Sequence, residues 1–471
     1  MKRNWRYTER TAAGLYWILI CVAFLSVSSP QAAALEVQGV QPYSLDQPRV
    51  PAILRTPDRG IPLSTYSQLF EQRLFAFDCF LDTGASRVIL SRTDRNALKV
   101  KSTDKSVEDL GIAGTETFDV AKPYVLCAGD SSTDITDPLD FRYCMKCTLQ
   151  LRRHDPNPME ALPKDLAGQL SGTMGELGFS SQDMGQMMMP SINVVGTPFL
   201  KKHVAILDPG PVTQALDVFQ SLSGLGGSGG GGGDPFESLD NLMEKMAESE
   251  LQGRNFGRIG VDILRADQSY PAAQITVPLT MKDMEQRQVP VTAAKVPFIS
   301  GARLSHGDMQ VQLDLLLDTG GAVSLISPEF ARRLSLNLDR PQITTQIQGV
   351  GRGATRLRGY WIDRLQIPTS RGGPLVFRNV PFFVADVPGL SGTMGANLLI
   401  PSVYLETDME KIRKNPMSIL GSMRTGPMPF RRIIIDLPRG YLGLDPAPRS
   451  HQRSRNRQQN DRNSGRTGQR R

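Results

Sequence analysis

The tripeptide Asp-Thr-Gly occurs twice in this chain, at Asp82-Thr83-Gly84 and at Asp318-Thr319-Gly320, each time closing one apolar run and opening another. The match extends well past three letters. Laid over each other without a gap, the segments Asp82–Leu98 and Asp318–Leu334 place Ser91 on Ser327 and Leu98 on Leu334. Each serine ends a short apolar stretch and precedes a helical pattern, so it reads as a helix N-cap, reinforced in the second copy by Pro328 and Glu329 in the first turn. Strand, acidic turn, strand and capped helix thus recur as a unit, which constrains the chain to build two like halves. Two carboxylates in matched surroundings are also what a reaction needs when it activates water between a pair of acids.

The periodicity around the repeats is that of strands. Val311, Leu313 and Leu315 alternate with Gln310, Gln312 and Asp314 before the wholly apolar Leu316-Leu317, the pattern of a half-buried strand entering a core. A second correspondence lies downstream. Val194-Val195-Gly196 and Thr393-Met394-Gly395 each lead into another apolar strand. Ser171-Gly-Thr-Met-Gly175 repeats Ser391-Gly-Thr-Met-Gly395 letter for letter, but the Gly196 segment is the better counterpart because a strand follows it. The excess length of the first half then falls between Cys127 and Pro190.

Between the halves runs Gly224-Leu-Gly-Gly-Ser-Gly-Gly-Gly-Gly-Gly-Asp234, a tract with nothing to pack. Helical patterns at 211–222 and 236–251 flank it. The expected organisation is a signal peptide at 1–34, a first lobe at 35–212, a helical and Gly-rich linker at 213–252, a second lobe at 253–447 and a basic disordered tail at 448–471.

At 471 residues the chain is long enough for two or three domains with their own cores. Its net charge of +7 invites a nucleic-acid reading, which the distribution removes. The segments 1–34 and 449–471 hold twelve basic and two acidic residues, leaving 42 basic against 45 acidic in the body. No specific nucleic-acid partner is therefore expected, and the Arg-rich tail is at most a tether to an anionic envelope polymer. At the other end, Lys2, Arg3, Arg6 and Arg10 precede an apolar run and Ala32-Ala33-Ala34, the layout of a secretory signal. An extracytoplasmic protein, periplasmic or secreted, is expected, membrane-anchored if the signal stays uncleaved.

Cys79, Cys127, Cys144 and Cys147 all lie in the first half. In an exported chain an even count points to one or two disulfides, with the pairing left open. The Cys144-Met-Lys-Cys147 spacing could begin a zinc site, but His154 alone lies close to it, and no metal is expected. Gly226-Gly-Ser228-Gly-Gly230 spells a nucleophile elbow inside a flexible tract, where no strained turn would hold the serine.

Taken together, Asp82-Thr83-Gly84 and Asp318-Thr319-Gly320, each followed by its downstream glycine segment, resemble the two halves of an aspartic protease. Within that clan the likeness is to retropepsin-like domains, because Ala85 and Gly321 stand where pepsin-like enzymes usually carry a hydroxyl. The resemblance implies a mainly β protein of two pseudo-symmetric acid-protease β-barrel lobes joined by the Gly-rich linker, a monomer with an internal pseudo-dimer. It implies Asp82 and Asp318 as the catalytic pair, supported by Thr83, Gly84, Thr319 and Gly320, and a hairpin flap at Gly111-Ile112-Ala113-Gly114, at Gly349-Val350-Gly351, or at both. The implied activity is an endopeptidase acting on polypeptide without a cofactor. Two other readings stay open: a catalytically inactive, peptide-binding envelope protein of the same fold, and two domains that each pair with a twin in another chain.

Overall fold

The computed structural model describes residues 34–67, 72–112, 114–155, 192–213, 257–283, 295–348, 354–405 and 423–448. The expected signal peptide, most of the linker with its flanking helical patterns, the Ser171–Gly175 segment and the basic tail lie outside them.

The fold is mainly β, with two closed six-stranded barrels, as the repeat implied. In the first, the strands run in the spatial order Tyr143–Arg152, Val88–Leu90, Asn193–Val195, Phe77–Leu81, Arg49–Arg55 and Gly114–Ala128, and the last pairs back on the first. In the second, Leu375–Val384, Leu325–Ile326, Gly392–Gly395, Met309–Asp318, Val296–His306 and Ala354–Ile367 close in the same order. Closure removes the unpaired edges that an open sheet would leave. The alternation read along Met309–Asp318 is borne out, with Val311, Leu313 and Leu315 buried inside and Gln310 and Gln312 exposed.

The correspondence between Gly196 and Gly395 holds in the register. Val195 pairs in parallel with Leu81, and Met394 pairs in parallel with Leu317. The expected insertion needs correcting, because Tyr143–Arg152 is an integral barrel strand, the counterpart of Leu375–Val384. Both serine caps form. Ser91 Oγ accepts from Asp94 N at 3.0 Å at the start of Arg92–Ala97, and Ser327 Oγ accepts from Phe330 N at 3.5 Å at the start of Pro328–Arg333.

The lobes are joined by a five-stranded antiparallel sheet in the order Gly260–Arg265, His203–Asp208, Phe430–Asp436, Tyr441–Pro446 and Ile275–Pro278. Here Ile206 on the strand leaving the first barrel stands opposite Ile434 near the end of the second. The chain also enters by way of the second lobe. Leu35–Gln38 adds in parallel to Leu375–Val384, and Tyr43–Ser44 pairs with Ser402–Val403 before Arg49–Arg55 joins the first barrel. One apolar core runs through both barrels and the joining sheet. No helix among the described residues is long and apolar enough to cross a membrane.

Candidate active site

Asp82 follows the Phe77–Leu81 strand directly, and Asp318 is the last residue of Met309–Asp318. Each emerges beside a central strand of its own barrel, where Asp82 N donates to the Val195 carbonyl at 3.1 Å. The two turns meet. Thr83 and Thr319 are buried, and each hydroxyl donates across the lobe boundary, Thr83 Oγ1 to the Leu317 carbonyl and Thr319 Oγ1 to the Leu81 carbonyl, both at 2.6 Å. In return Thr83 N donates to Thr319 Oγ1 at 3.1 Å and Thr319 N to Thr83 Oγ1 at 3.0 Å. Every donor and acceptor in this small buried network is used, so neither turn shifts without breaking bonds in the other.

Above the threonines, the Asp82 and Asp318 carboxyls hydrogen-bond to each other. Asp82 Oδ1 accepts from Gly84 N at 2.7 Å and Ala85 N at 3.2 Å, and Asp318 Oδ1 accepts from Gly321 N at 2.8 Å. The Gly320 N–H supports both carboxyls. Ala85 and Gly321 therefore contribute backbone N–H groups where a hydroxyl side chain is absent. Glycine is required here for space. A Cβ on Gly84 would sit 2.8 Å from Asp318 Oδ1, and one on Gly320 would run into the Asp82 carboxyl.

Both carboxyls are enclosed by protein while keeping a partly exposed edge. Burial pushes both pKa values up, and the effect is larger on Asp318, where the neighbouring Asp82 charge adds to it; the amide donors around Asp82 pull the other way. Like charges this close cannot both ionise, so the pair shares one proton.

At the first flap candidate, Ser102–Gly111 and Gly114–Ala128 form a hairpin with Gly111 opposite Gly114, which adopts φ 98°. Ile112 at its tip packs against the second-lobe cluster of Val323, Leu325, Ile343, Leu357 and Phe383, so this hairpin reaches across the lobe boundary. Ala113 lies outside the described residues. So do Gly349, Val350 and Gly351, although their flanks, Ile343–Gln348 and Ala354–Ile367, pair antiparallel.

Of the four candidate cysteines, Cys127 and Cys144 form a disulfide, and Cys79 and Cys147 are free thiols. The bond joins directly opposed residues of adjacent strands. One disulfide falls within the one or two expected, and Cys144, being bonded, is not available as a zinc ligand. Burial pushes the Cys147 thiol up to about 11 and raises that of Cys79 as well, which leaves both poor nucleophiles. Among the described residues no cluster of three or more His, Cys, Asp or Glu is placed to hold a metal ion.

Several supporting residues had no reading in the sequence. The Gln47 amide donates to the Gly320 carbonyl across 273 positions, and nothing local in the sequence announces that bond. Buried Asn193 accepts from Ser91 N at 2.8 Å and donates to the Asp78 carbonyl at 2.8 Å, tying the capped helix to the strand that carries Asp82. At other positions of the second lobe, Ser324 Oγ donates to Asn397 Oδ1 at 2.9 Å and accepts from Gly395 N at 3.0 Å. A signal existed for Asn193, a polar residue opening the otherwise apolar Asn193-Val194-Val195.

Residues 302–400 match the family model for aspartyl proteases. No curated protein matches the chain. Among solved structures, one match is a retropepsin-like aspartic protease from Rickettsia conorii, 15% identical, covering 28% of this chain and 84% of that one at a TM-score of 0.19. So low a score says nothing about how the lobes are arranged. The matched segment contains Asp318-Thr319-Gly320 and Thr393-Met394-Gly395, and through it the chain is similar to aspartyl proteases.

Proposed function

We propose that the protein is an exported aspartic endopeptidase that hydrolyses peptide bonds with a water activated between Asp82 and Asp318. The observation that carries this reading is the hydrogen-bonded carboxyl pair held over the Thr83–Thr319 interlock. In the proposed cycle ionised Asp82 takes a proton from the water as it attacks the carbonyl carbon. Protonated Asp318 donates to the carbonyl oxygen, and the resulting tetrahedral species collapses with proton transfer to the leaving nitrogen. The interlock keeps the carboxyls within reach of one water, and the Gly84, Ala85 and Gly321 amides fix their orientation. The hairpin tipped by Ile112 covers bound polypeptide and limits water entry.

Export rests on the basic and apolar N-terminal layout, and the disulfide agrees with an oxidising compartment. Because backbone amides replace side-chain hydroxyls at Ala85 and Gly321, the expected pH optimum is less acidic than that of pepsin-like enzymes. Incubation of the purified chain with a denatured protein, with and without a statine-type inhibitor, tests the assignment. Inhibitor-sensitive cleavage supports it, and peptide binding without turnover at any pH would favour the inactive envelope protein instead.

A further inference from the structure

The sheet faces flanking the two carboxyls share a register but differ in their side chains. In the first lobe Ile89 stands opposite both Val194 and Gln150, and Arg152 stands opposite Phe118. Paired residues on adjacent strands point the same way, so these side chains line one face. Ile89, Phe118 and Val194 form an apolar cluster against Ala85, next to the Asp82 turn. In the second lobe Leu325 takes the place of Ile89, opposite Thr393 and Phe383. Gln150 therefore occupies the position of Phe383, Arg152 that of Ala385 and, in the gapless register, Arg87 that of Val323.

Gln150 and Arg152 are each 2% exposed. Even so, neither amide atom of Gln150, nor Nε or Nη1 of Arg152, has a hydrogen-bond partner. Arg152 Nη2 stands 3.5 Å from Glu116 Oε2, which offsets its charge without reaching the other donors. The unpartnered atoms present five N–H donors against one carbonyl acceptor. Native proteins rarely leave so many buried donors without acceptors, and the complement here must be rich in acceptors.

We propose that this face is a specificity pocket of the first lobe for an acidic side chain of the bound polypeptide, while the equivalent face of the second lobe takes an apolar one. The proposal rests on the peptidase reading above. A glutamate or aspartate brings acceptors only and pairs bidentately with a guanidinium; Arg87, half-buried two residues before Ile89 and in the field of Asp109, is a second cation on the same segment. A leucine in the same place would leave every donor unsatisfied.

The test uses the full chain and fluorescent octapeptides whose central amide is reduced and cannot be cut, with Glu, Gln or Leu at each of the three positions on either side. Binding is read by anisotropy. The expected result is one position at which Glu binds roughly a hundredfold tighter than Leu. The preference should flatten in Gln150→Leu and Arg152→Met, and narrow in the half-exposed Arg87→Met, which is less prone to disturb folding. A preference for Leu at every position, or a Glu preference unchanged in all three variants, overturns the proposal. Because the peptides cannot be cut, failure of the parental chain to hydrolyse ordinary peptides counts against the peptidase reading alone. Absence of binding by any of them counts against both.

Discussion

The two Asp-Thr-Gly turns are near copies in backbone, yet their carboxyls and the faces beside them are not equivalent. Asp82 Oδ1 accepts from two local amides, Gly84 N and Ala85 N, whereas Asp318 Oδ1 accepts from Gly321 N. Gln150 and Arg152 line the first lobe where Phe383 and Ala385 line the second. The hairpin of the first lobe crosses to pack Ile112 on the second, and Leu35–Gln38 pairs with the second lobe instead of the first. The strand register fixes where the two acids meet, and side-chain differences at equivalent positions make their surroundings unlike. Two genuinely interchangeable lobes would show neither asymmetry.

The largest expected effect comes from breaking the pair itself. Asp82→Asn and Asp318→Asn should each lower kcat/KM by about 10²–10⁴ with a fold unchanged by circular dichroism. Both also bear on stability. The folded pKa of Asp318 is raised, so the native state binds that proton more tightly than the unfolded chain does, and stability falls as pH rises from the ordinary carboxylate range through the raised value. Asp318→Asn removes this penalty. Melting curves should show it gaining on the parental chain as pH increases and equal to it at strongly acid pH, and Asp82→Asn, which removes the other carboxyl that burial pushes up, should move in the same direction.

Opening the Cys127–Cys144 disulfide by double Ser substitution should cost about 2–4 kcal/mol by denaturant unfolding, since it closes a 17-residue separation. The loss should fall on the first lobe, where hydrogen exchange would accelerate more than in the second. Smaller still is the interlock. Thr83→Val, which loses the bonds to the Leu317 carbonyl and Thr319 N, and Thr319→Val, which loses those to the Leu81 carbonyl and Thr83 N, should each cost about 1–3 kcal/mol, and the double variant less than their sum, because loosening either turn already weakens the bonds held by the other. Full additivity would mean the lobes are held together elsewhere.

Much of the site was legible in the sequence because its signals are local. The gapless register, the serines that cap both helices and the glycine segments at 196 and 395 each depend on neighbours a few positions away. The joining of Leu35–Gln38 to Leu375–Val384 depends on partners some 340 positions apart, and no short pattern encodes it. Gln150 and Arg152 had no reading in the sequence. Alternation in Leu149-Gln150-Leu151-Arg152 separates two faces of a strand, but it does not say what each face meets. The cysteine pairing was likewise fixed only by the strand register that sets Cys127 opposite Cys144.

On the reading proposed above, Asp82 and Asp318 form one proton-sharing pair within a single chain. Mixing purified Asp82→Asn and Asp318→Asn chains in equal amounts, and assaying cleavage of a peptide that the parental protein hydrolyses, tests it most directly. An internal pair predicts that the mixture is as inactive as either variant alone. Activity restored on mixing would mean that the acids meet between chains, and turnover retained by either variant alone would mean that the pair is not the catalyst.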